Sequence, residues 1–363
     1  MEPSDFLRSS SRRDLGDGRI PDAVRESSIG RVVLLTYEEL TRGKALPIGT
    51  YIFSAIDRLF PCERELAARF GQELSAASSN IILLNHPGRV LCRYELLRKC
   101  FALERNRFDV YRATNLDRCQ KFPVFIRPEN EHKGSITRLL YTRRELIREL
   151  VIAMIKGYRL RDLIIGEYCH TADSSGVFRL HCASIVGDQI IPQVVVHNRN
   201  WISKWDGRLV DKDKAREQLN YVETNPHAAW LKETFQLARI NYGRIDYGLM
   251  NGVPQVWEIN TNPTIVRPAG TASGLTEDQD NLVDPVRNWF LQQFGAAFEK
   301  LDRSVDPNHM MHIDISESER RKLESERRLK LRLRARRAMV SQMRPVVTWL
   351  RRPFKSRRWF APD

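Results

Sequence analysis

The sequence predicts an α/β protein in which a small parallel-sheet domain precedes a larger domain of antiparallel strands. Short apolar segments alternate with helical segments up to about residue 118, which is typical of a parallel sheet. Strand-forming segments then predominate, with turn residues such as Asn251-Gly252 between them. Of the 363 residues, 42% are hydrophobic, which is enough for one or two apolar cores.

The first domain is predicted to contain three strands and two helices. The strands are expected at residues 31–37, 51–55 and 80–85, and the helices at 62–74 and 94–104. A further strand is expected at 108–113, and the second domain is expected to have a strand at 124–127 and a pair of strands within 163–195. Its helices are expected at 143–156, 212–222, 228–240 and 284–301.

Oxygen-bearing side chains near residue 250 have the spacing of a metal site built on a hairpin. Alternation over 256–260 predicts a strand with Glu258 and Asn260 on one face, and Asn251-Gly252 predicts a turn back to a strand carrying Asp246. Two carboxylates and an amide carbonyl are hard donors that suit Mg²⁺, with Mn²⁺ as the alternative ion.

The register of this hairpin decides whether the three side chains meet. A two-residue loop pairs residues whose numbers sum to 503, which sets Asp246 opposite Trp257 and on the other face from Glu258. A three-residue connection or a single bulge changes the sum to 504 and sets Asp246 opposite Glu258, and we expect this register. The alternative is that Glu258 and Asn260 line the solvated face of an edge strand and bind no metal.

The segment Glu258-Ile-Asn260-Thr-Asn-Pro263, preceded by Gly243-Arg-Ile-Asp246, resembles the metal-binding end of ATP-grasp enzymes. This superfamily includes glutathione synthetase-like and D-alanine-D-alanine ligase-like proteins. Other similar segments follow in the family's order over residues 30–300. The resemblance implies an ATP-grasp fold of the α+β kind, with nucleotide between two antiparallel sheets. The expected domains are a disordered arm (1–28), an N-terminal α/β domain (29–118), a nucleotide-binding domain (119–305) and a basic, partly helical tail (306–363).

Residues upstream of the hairpin resemble the phosphate-binding elements of the family. Residues 122–135 are similar to its phosphate-covering strand and loop, and residues 91–97 to the start of a preceding helix. The resemblance implies that phosphates contact Arg93, Arg127, Lys133, Gly134 and Ser135. Two departures from the family pattern are arginine where lysine is usual, at Arg93 and Arg127, and a loop with a single glycine. Arginine still binds phosphate, but through a planar fork rather than a point charge.

Two further segments resemble the hinge and the hairpin that follows it. Residues 163–169 are similar to the strand whose backbone and acidic residue receive adenine and ribose, which implies roles for Glu167 and Tyr168. Residues 176–192 are similar to a hairpin in which an arginine faces the γ-phosphate. The resemblance therefore makes Arg179 the candidate catalytic residue.

The activity that the resemblance implies is an ATP- and Mg²⁺-dependent ligase that joins a carboxylate to an amine through an acyl phosphate. The small-molecule or peptide substrate is not fixed by the sequence. His197, Arg199 and Arg267 are candidates for binding an acidic substrate, and each is alternatively a surface cation. Arginine at positions 93 and 127, where the family usually has lysine, and the glycine-poor loop favour two alternatives. These are a small-molecule kinase and a non-catalytic nucleotide-binding protein.

Positive charge is concentrated at the C-terminus. Residues 320–363 hold 16 of the 59 Lys and Arg residues and three of the 45 acidic residues, a net charge of +13, which leaves +1 for the rest. A helix is expected from Ser318 to Arg337, without a clean apolar stripe and therefore without tight packing on the body. Aromatic residues and cations then alternate over 346–360. We expect residues 320–363 to bind an anionic membrane or nucleic acid, and to be dispensable for ATP turnover; the alternative is a solvated extension.

Other motifs argue against several classes of protein. The six cysteines include no C-x-x-C pair and the eight histidines no H-E-x-x-H motif, so we expect neither a zinc site nor a disulfide scaffold. No apolar stretch is long enough for a membrane span, and the N-terminus lacks an apolar signal core. We therefore expect a cytoplasmic protein, peripherally membrane-associated if the tail binds lipid. A nucleic-acid-binding module acting through the tail is a further functional hypothesis.

Overall fold

The computed structural model describes residues 6–9, 32–40, 45–131, 134–202, 207–263, 265, 275–302 and 310–342. Within these ranges the fold is mixed α/β, so the predicted class is confirmed. The strands form four sheets, and helices pack on them. No helix of the described residues combines the length and the apolar character that a membrane span requires.

The N-terminal sheet is parallel and has the order β2-β1-β4-β5. Its strands are β1 (Phe6–Ser9), β2 (Val32–Leu35), β4 (Thr50–Ile52) and β5 (Ile82–Leu84). Strand β1 lies within residues 1–28, the segment that was expected to be a disordered arm. The strands that pair with β1 are more than twenty residues away in sequence. A segment of four residues is too short to show the alternation of apolar and polar residues that predicts a strand. The other residues of the arm lie outside the described ranges.

Three helices accompany this sheet: α1 (Tyr37–Leu40), α2 (Pro61–Ala77) and α3 (Arg93–Ala102). Helix α2 begins with a proline, and the Glu63 carboxylate accepts a 3.1 Å hydrogen bond from the backbone N–H of Phe60. Leu66, Phe70 and Leu74 recur every fourth residue on its buried face. Burying each such side chain stabilises the fold by about 1.5–3 kcal/mol. Strand β3 (Leu46–Pro47) pairs with β13 (Met310–Met311) at the edge of this domain.

The second domain contains two antiparallel sheets. One has the order β6-β8-β7 and is formed by Val110–Arg112, Leu163–Glu167 and Val124–Pro128. The other has the order β10-β9-β11-β12 and is formed by Gln189–Asn198, Phe178–Val186, Tyr242–Met250 and Val253–Asn260. The helices are α4 (Arg143–Ile155), α5 (Lys212–Thr224), α6 (Ala228–Ala238) and α7 (Glu277–Glu299).

The β11–β12 hairpin has the shifted register that the sequence predicts. Asn251 and Gly252 both have positive φ, 51° and 79°, so the turn itself is a two-residue loop. Next to the turn the pairs sum to 503, as for Tyr247 opposite Val256, but from Asp246 opposite Glu258 onward they sum to 504. Trp257 is the additional residue of a β-bulge.

The C-terminal helix α8 (Glu317–Gln342) packs on the N-terminal domain. Its Leu323 is only 2% exposed and belongs to the main apolar core. The Glu326 carboxylate accepts hydrogen bonds of 3.1 and 3.3 Å from the backbone N–H groups of Cys62 and Glu63, at the N-terminus of α2. The predicted helix is therefore confirmed, but the expectation of no tight packing is wrong. Leu323, the capping carboxylate of Glu326 and ion pairs such as Lys330 with Glu63 hold α8 without an apolar stripe.

Candidate functional site

The candidate metal ligands share one face of the four-stranded sheet. Asp246 and Glu258 are directly opposite each other, and Asn260 pairs with Arg244, two residues along from Asp246. Side chains at positions i and i+2 of a strand lie on the same face. Because Trp257 bulges, Glu258 keeps the face of Asp246 although the turn is a two-residue loop.

These oxygen atoms bind protein groups in the structure. The Asp246 carboxylate accepts hydrogen bonds of 2.7 and 3.0 Å from Nε and Nη2 of Arg244. Oε2 of Glu258 accepts hydrogen bonds of 2.8 Å from Arg93 and 2.6 Å from Arg127. Three guanidinium groups therefore share two carboxylates. In the described part of the chain, no group of three or more His, Cys, Asp and Glu side chains is arranged to hold a metal ion.

The charged side chains of Arg93 and Arg127 are largely buried. Their side chains are 4% and 12% exposed, and neither Nε has a hydrogen-bond partner among the described residues. Burial, together with the neighbouring Arg93, lowers the pKa of Arg127 below its ordinary value. An unsatisfied N–H group of a buried cation is costly, so a hydrogen-bond acceptor at either Nε would stabilise this pair.

Arg244 is a site residue that the sequence reasoning missed. Burial lowers the pKa of its guanidinium, but the ion pair with Asp246 outweighs that effect and raises it. The available signal was the spacing Gly243-Arg-Ile-Asp246, because a residue two positions before Asp246 on a strand must share its face.

Aromatic side chains lie beside the buried cations. Phe125 is two residues before Arg127 on β7 and shares its face. Gly166 pairs with Phe125, and a Cβ at this glycine would lie 2.8 Å from the Phe125 ring, so only glycine leaves room for it. The Trp201 ring centroid lies 5.1 Å from that of Phe125 and 5.8 Å from that of Tyr168. Tyr168 was predicted as a site residue, whereas Phe125 and Trp201 were not.

Glu167, which the sequence resemblance assigns to ribose binding, contacts other groups of the protein. Its side chain is buried, with Oε1 accepting a 2.6 Å hydrogen bond from the Tyr111 hydroxyl and Oε2 a 3.0 Å bond from the Asp109 N–H. These hydrogen bonds tie Glu167 to β6 and to the residue before it, and each carboxylate oxygen keeps a second lone pair. Tyr168 donates its N–H to the Pro123 carbonyl, so that N–H is also in use.

The loop after β7 is only partly described. Gly134 has φ +81°, a backbone conformation that favours glycine. Ser135 Oγ accepts a 3.1 Å hydrogen bond from the Thr137 N–H and lies 3.0 Å from the Ile126 carbonyl, so it closes this loop onto β7. The other predicted loop residue, Lys133, lies outside the described ranges.

Arg179 and His197 lie on the opposite face of the sheet from the carboxylates. Cys182 pairs with Asp246 and therefore shares its face, and Arg179 is three residues before Cys182 on the same strand. There Glu217 of α5 accepts hydrogen bonds of 2.7 Å from Arg179 Nε and 3.0 Å from His197 Nε2. This placement contradicts the expectation that Arg179 faces the γ-phosphate and that His197 borders the substrate site.

Two other residues were predicted to bind the substrate. Arg199 is exposed at the end of β10, and Arg267 lies outside the described residues.

The C-terminal helix reaches the loop next to the site. Arg337 of α8 forms an ion pair with Glu131 and lies with its guanidinium carbon 5.1 Å from the centre of the Tyr158 ring. The carbonyl of Glu131 is 3.3 Å from Arg93 Nη1, which also donates to the Glu129 carbonyl. Two contacts, Arg337 with Glu131 and the Glu131 carbonyl with Arg93, thus connect α8 to the arginine that binds Glu258.

No protein-family model matches the chain, and neither does any curated protein sequence. Among solved structures, a D-alanine-D-alanine ligase from Bacillus anthracis complexed with ATP matches 83% of this chain and 100% of its own, with 13% identity and a TM-score of 0.44. A RimK domain ATP-grasp protein from Sphaerobacter thermophilus matches 79% of this chain and 99% of its own, with 12% identity and a TM-score of 0.43. The ATP-grasp ligase PsnB, complexed with minimal precursor, Mg and ADP, matches 79% of this chain and 97% of its own, with 10% identity and a TM-score of 0.43. Similarity at this level assigns neither a reaction nor a substrate to this chain.

Proposed function

We propose that ATP binds between the two antiparallel sheets of the second domain and that the protein is an ATP-grasp ligase joining a carboxylate to an amine. One observation carries the proposal: Arg93 and Arg127 are buried, share the single carboxylate of Glu258, and each keep an Nε–H without a described partner. A polyphosphate supplies the acceptors that this arrangement lacks. Hydrogen bonds between guanidinium and phosphate are among the stronger ones in proteins.

The neighbouring aromatic group fits the other end of a nucleotide. Phe125, Tyr168 and Trp201 present ring faces and edges on the side of the three-stranded sheet that carries Arg127. A purine base stacks on such rings, and base stacking on an aromatic side chain contributes about 1–3 kcal/mol per base. The cations and the rings together match a ligand with phosphates at one end and a base at the other.

The oxygen donors fit a Mg²⁺ ion in type and in shared face. Asp246, Glu258 and the amide of Asn260 would hold it, with Mn²⁺ as the alternative. In the structure both carboxylates are paired with arginine, so the site has more positive than negative charge. A divalent cation is therefore expected to enter together with the phosphates, whose negative charge also draws Arg93 and Arg127 away from Glu258. When bound, the ion would neutralise charge on the phosphate oxygens.

The proposed reaction forms an acyl phosphate and then an amide. A substrate carboxylate oxygen attacks the γ-phosphorus and ADP leaves; an amine then attacks the acyl carbon and inorganic phosphate leaves. In this scheme Arg93 and Arg127 position the phosphates, and they require no proton transfer because arginine stays charged. Arg244, the buried cation beside Asp246, replaces Arg179 as the candidate for stabilising negative charge on the transferred phosphoryl group.

Calorimetry and product analysis test this proposal. The wild type is expected to bind ATP in the presence of Mg²⁺, and Arg127→Ala to weaken that binding at least tenfold, since a hydrogen bond to a charged group contributes about 1.5–3 kcal/mol. Arg216→Ala is the matched control, because Arg216 is an exposed arginine of α5. A screen of carboxylate and amine pairs should release ADP and phosphate in step with amide. Absence of ATP binding by the wild type would overturn the proposal.

A non-catalytic nucleotide-binding protein is the second candidate. It is favoured by the pairing of both carboxylates with arginine and by the position of Arg179 on the far face of the sheet. ATP binding without ADP release across the whole screen would support it. A phosphorylated product without amide would instead indicate the kinase alternative.

A further inference from the structure

Helix α4 presents a row of apolar side chains to solvent. Ile147, Val151, Met154 and Ile155 are 45%, 49%, 45% and 38% exposed. Their spacing of four, three and one residues places them on one side of the helix. The opposite side is also apolar and packs into the core through residues such as Leu146 and Leu150. Single exposed apolar residues are common, but a continuous row marks an interaction surface.

The basic helix α8 adjoins the C-terminal end of this row. A Cβ at Gly157, two residues beyond Ile155, would lie 3.2 Å from Cγ of Arg337 and 3.3 Å from Cγ of Arg336. The exposed side of α8 carries seven cations and two carboxylates among its described residues. The cations are Arg320, Arg321, Lys322, Arg328, Arg332, Arg334 and Arg336, and the carboxylates are Glu317 and Glu324.

Aliphatic residues lie among those cations. Leu331 and Met339 of α8 are 60% and 62% exposed. The exposed side of α8 therefore combines apolar side chains with an excess of positive charge.

We propose that the α4 row and the exposed side of α8 form a surface that docks on an anionic lipid bilayer. Aliphatic side chains gain free energy when they leave water for the acyl region, and arginine and lysine reach back to lipid phosphates from that depth. Apolar burial and attraction to anionic headgroups are the two terms that hold interfacial helices on membranes. This surface supplies both, without a membrane-spanning segment.

The chemistry of the surface fits other occupants less well. In a symmetric contact with a second copy, the same cations would face one another, and like charges across an interface repel. The cations would bind the phosphates of a nucleic acid, but the phosphate backbone would make no apolar contact with Ile147, Val151 and Met154. The row contains no aromatic side chain on which a base would stack. An anionic bilayer matches the apolar row and the cations together.

Vesicle sedimentation of the full-length chain tests the proposal. Wild-type protein is expected to sediment with vesicles of phosphatidylcholine and phosphatidylserine but not with phosphatidylcholine alone. Ile147→Gln/Val151→Gln/Met154→Gln should reduce binding about tenfold or more, because it removes the apolar term and leaves the charge unchanged. Leu103→Gln/Val253→Gln is the matched control, since these residues are 56% and 45% exposed elsewhere on the surface. Circular dichroism establishes that each variant is folded.

A second variant isolates the charge. Arg332→Gln/Arg336→Gln should weaken binding to phosphatidylserine vesicles and reduce its dependence on salt. Three results would overturn the proposal: equal vesicle binding by the wild type and the α4 variant, loss of a wild-type dimer in that variant as the only change, or RNA binding that the α4 variant retains while neither protein binds vesicles.

Discussion

Arg127 and Glu258 join the two antiparallel sheets of the second domain: Nη2 of Arg127, on β7, lies 2.6 Å from Oε2 of Glu258, on β12. Arg93 binds the same carboxylate oxygen at 2.8 Å from the start of α3. Because these side chains are at most 14% exposed, the interactions are weakly screened by solvent. Loss of one member of such a cluster leaves a buried charge uncompensated, which typically costs about 3–5 kcal/mol.

Glu258→Gln is the most direct test of the site. The substitution keeps the shape of the side chain and removes the charge that a hard cation requires. ATP turnover with Mg²⁺ should fall by more than the roughly 10- to 100-fold typical of an outer-shell partner. Binding of ADP without Mg²⁺ should strengthen. In the variant, Arg93 and Arg127 can bind the phosphates without first breaking an ion pair with Glu258.

Calorimetry and a coupled ADP-release assay measure these two effects. Asp246→Asn is expected to behave like Glu258→Gln, and Asn260→Ala to have a weaker effect. Glu233→Gln is the control, since Glu233 is a 62% exposed carboxylate paired with Arg105. Full turnover in Glu258→Gln would falsify the assignment of that residue.

Arg179→Ala should leave the chemical step unchanged. The guanidinium binds Glu217 and Asp173 on the helix-covered face of the sheet, away from Asp246. Its side chain is 32% exposed, so we expect a loss of unfolding free energy of only about 0–1 kcal/mol. Thermal unfolding and kcat are the measurements. A fall in kcat of more than tenfold, with an unchanged melting temperature, would show that Arg179 acts in the active site.

The hairpin shows how far local sequence predicts this site. Asn251-Gly252 fixed the turn, and the requirement that Asp246 meet Glu258 then demanded the bulge that the structure places at Trp257. The sequence did not predict which face of the sheet carries Arg179. Strand β9 is buried on both faces from His181 onward, so an alternation of polar and apolar residues does not distinguish the two faces. Phe125 and Trp201 come together only through tertiary packing, which neither short segment encodes.

Acid stability should depend on Glu217. Burial raises the pKa of this carboxyl, but hydrogen bonds from His197 and Arg179 outweigh burial and set the pKa at about 2, below the ordinary value of 4.5. Because the folded-state pKa is the lower one, the contribution to stability is present above about pH 4.5 and is lost as the pH falls toward 2. Urea unfolding at a series of pH values should show a smaller acid-induced loss in Glu217→Gln. Glu223→Gln, an exposed position of the same helix, is the control, and equal pH slopes in the two variants would contradict the assignment.

Helix α8 should contribute to the stability of the body. Leu323→Ala is expected to cost about 2–5 kcal/mol, because the side chain is 2% exposed in the main core. Glu326→Gln removes the charged cap of α2 and should cost about 1 kcal/mol. Chemical denaturation measures both, with the exposed Leu331→Ala as the control for the leucine. Equal effects of Leu323→Ala and Leu331→Ala would show that α8 does not pack on the body in solution.

The same helix should also influence ATP binding, contrary to the expectation that residues 320–363 are dispensable for turnover. Arg337 pairs with Glu131, whose carbonyl lies 3.3 Å from Arg93, so α8 helps to hold the loop that orients this arginine. Arg337→Ala should raise KM for ATP severalfold with little change in kcat, because a loosened loop weakens phosphate binding before it alters the reacting atoms. The charge-swapped pair Arg337→Glu/Glu131→Arg should restore KM, whereas Glu131→Arg alone should not. Arg328→Ala is the control, since Arg328 is an exposed arginine of α8 paired only with Glu324 among the described contacts. If KM is the same in Arg337→Ala and Arg328→Ala, the contact is a surface ion pair without influence on the site.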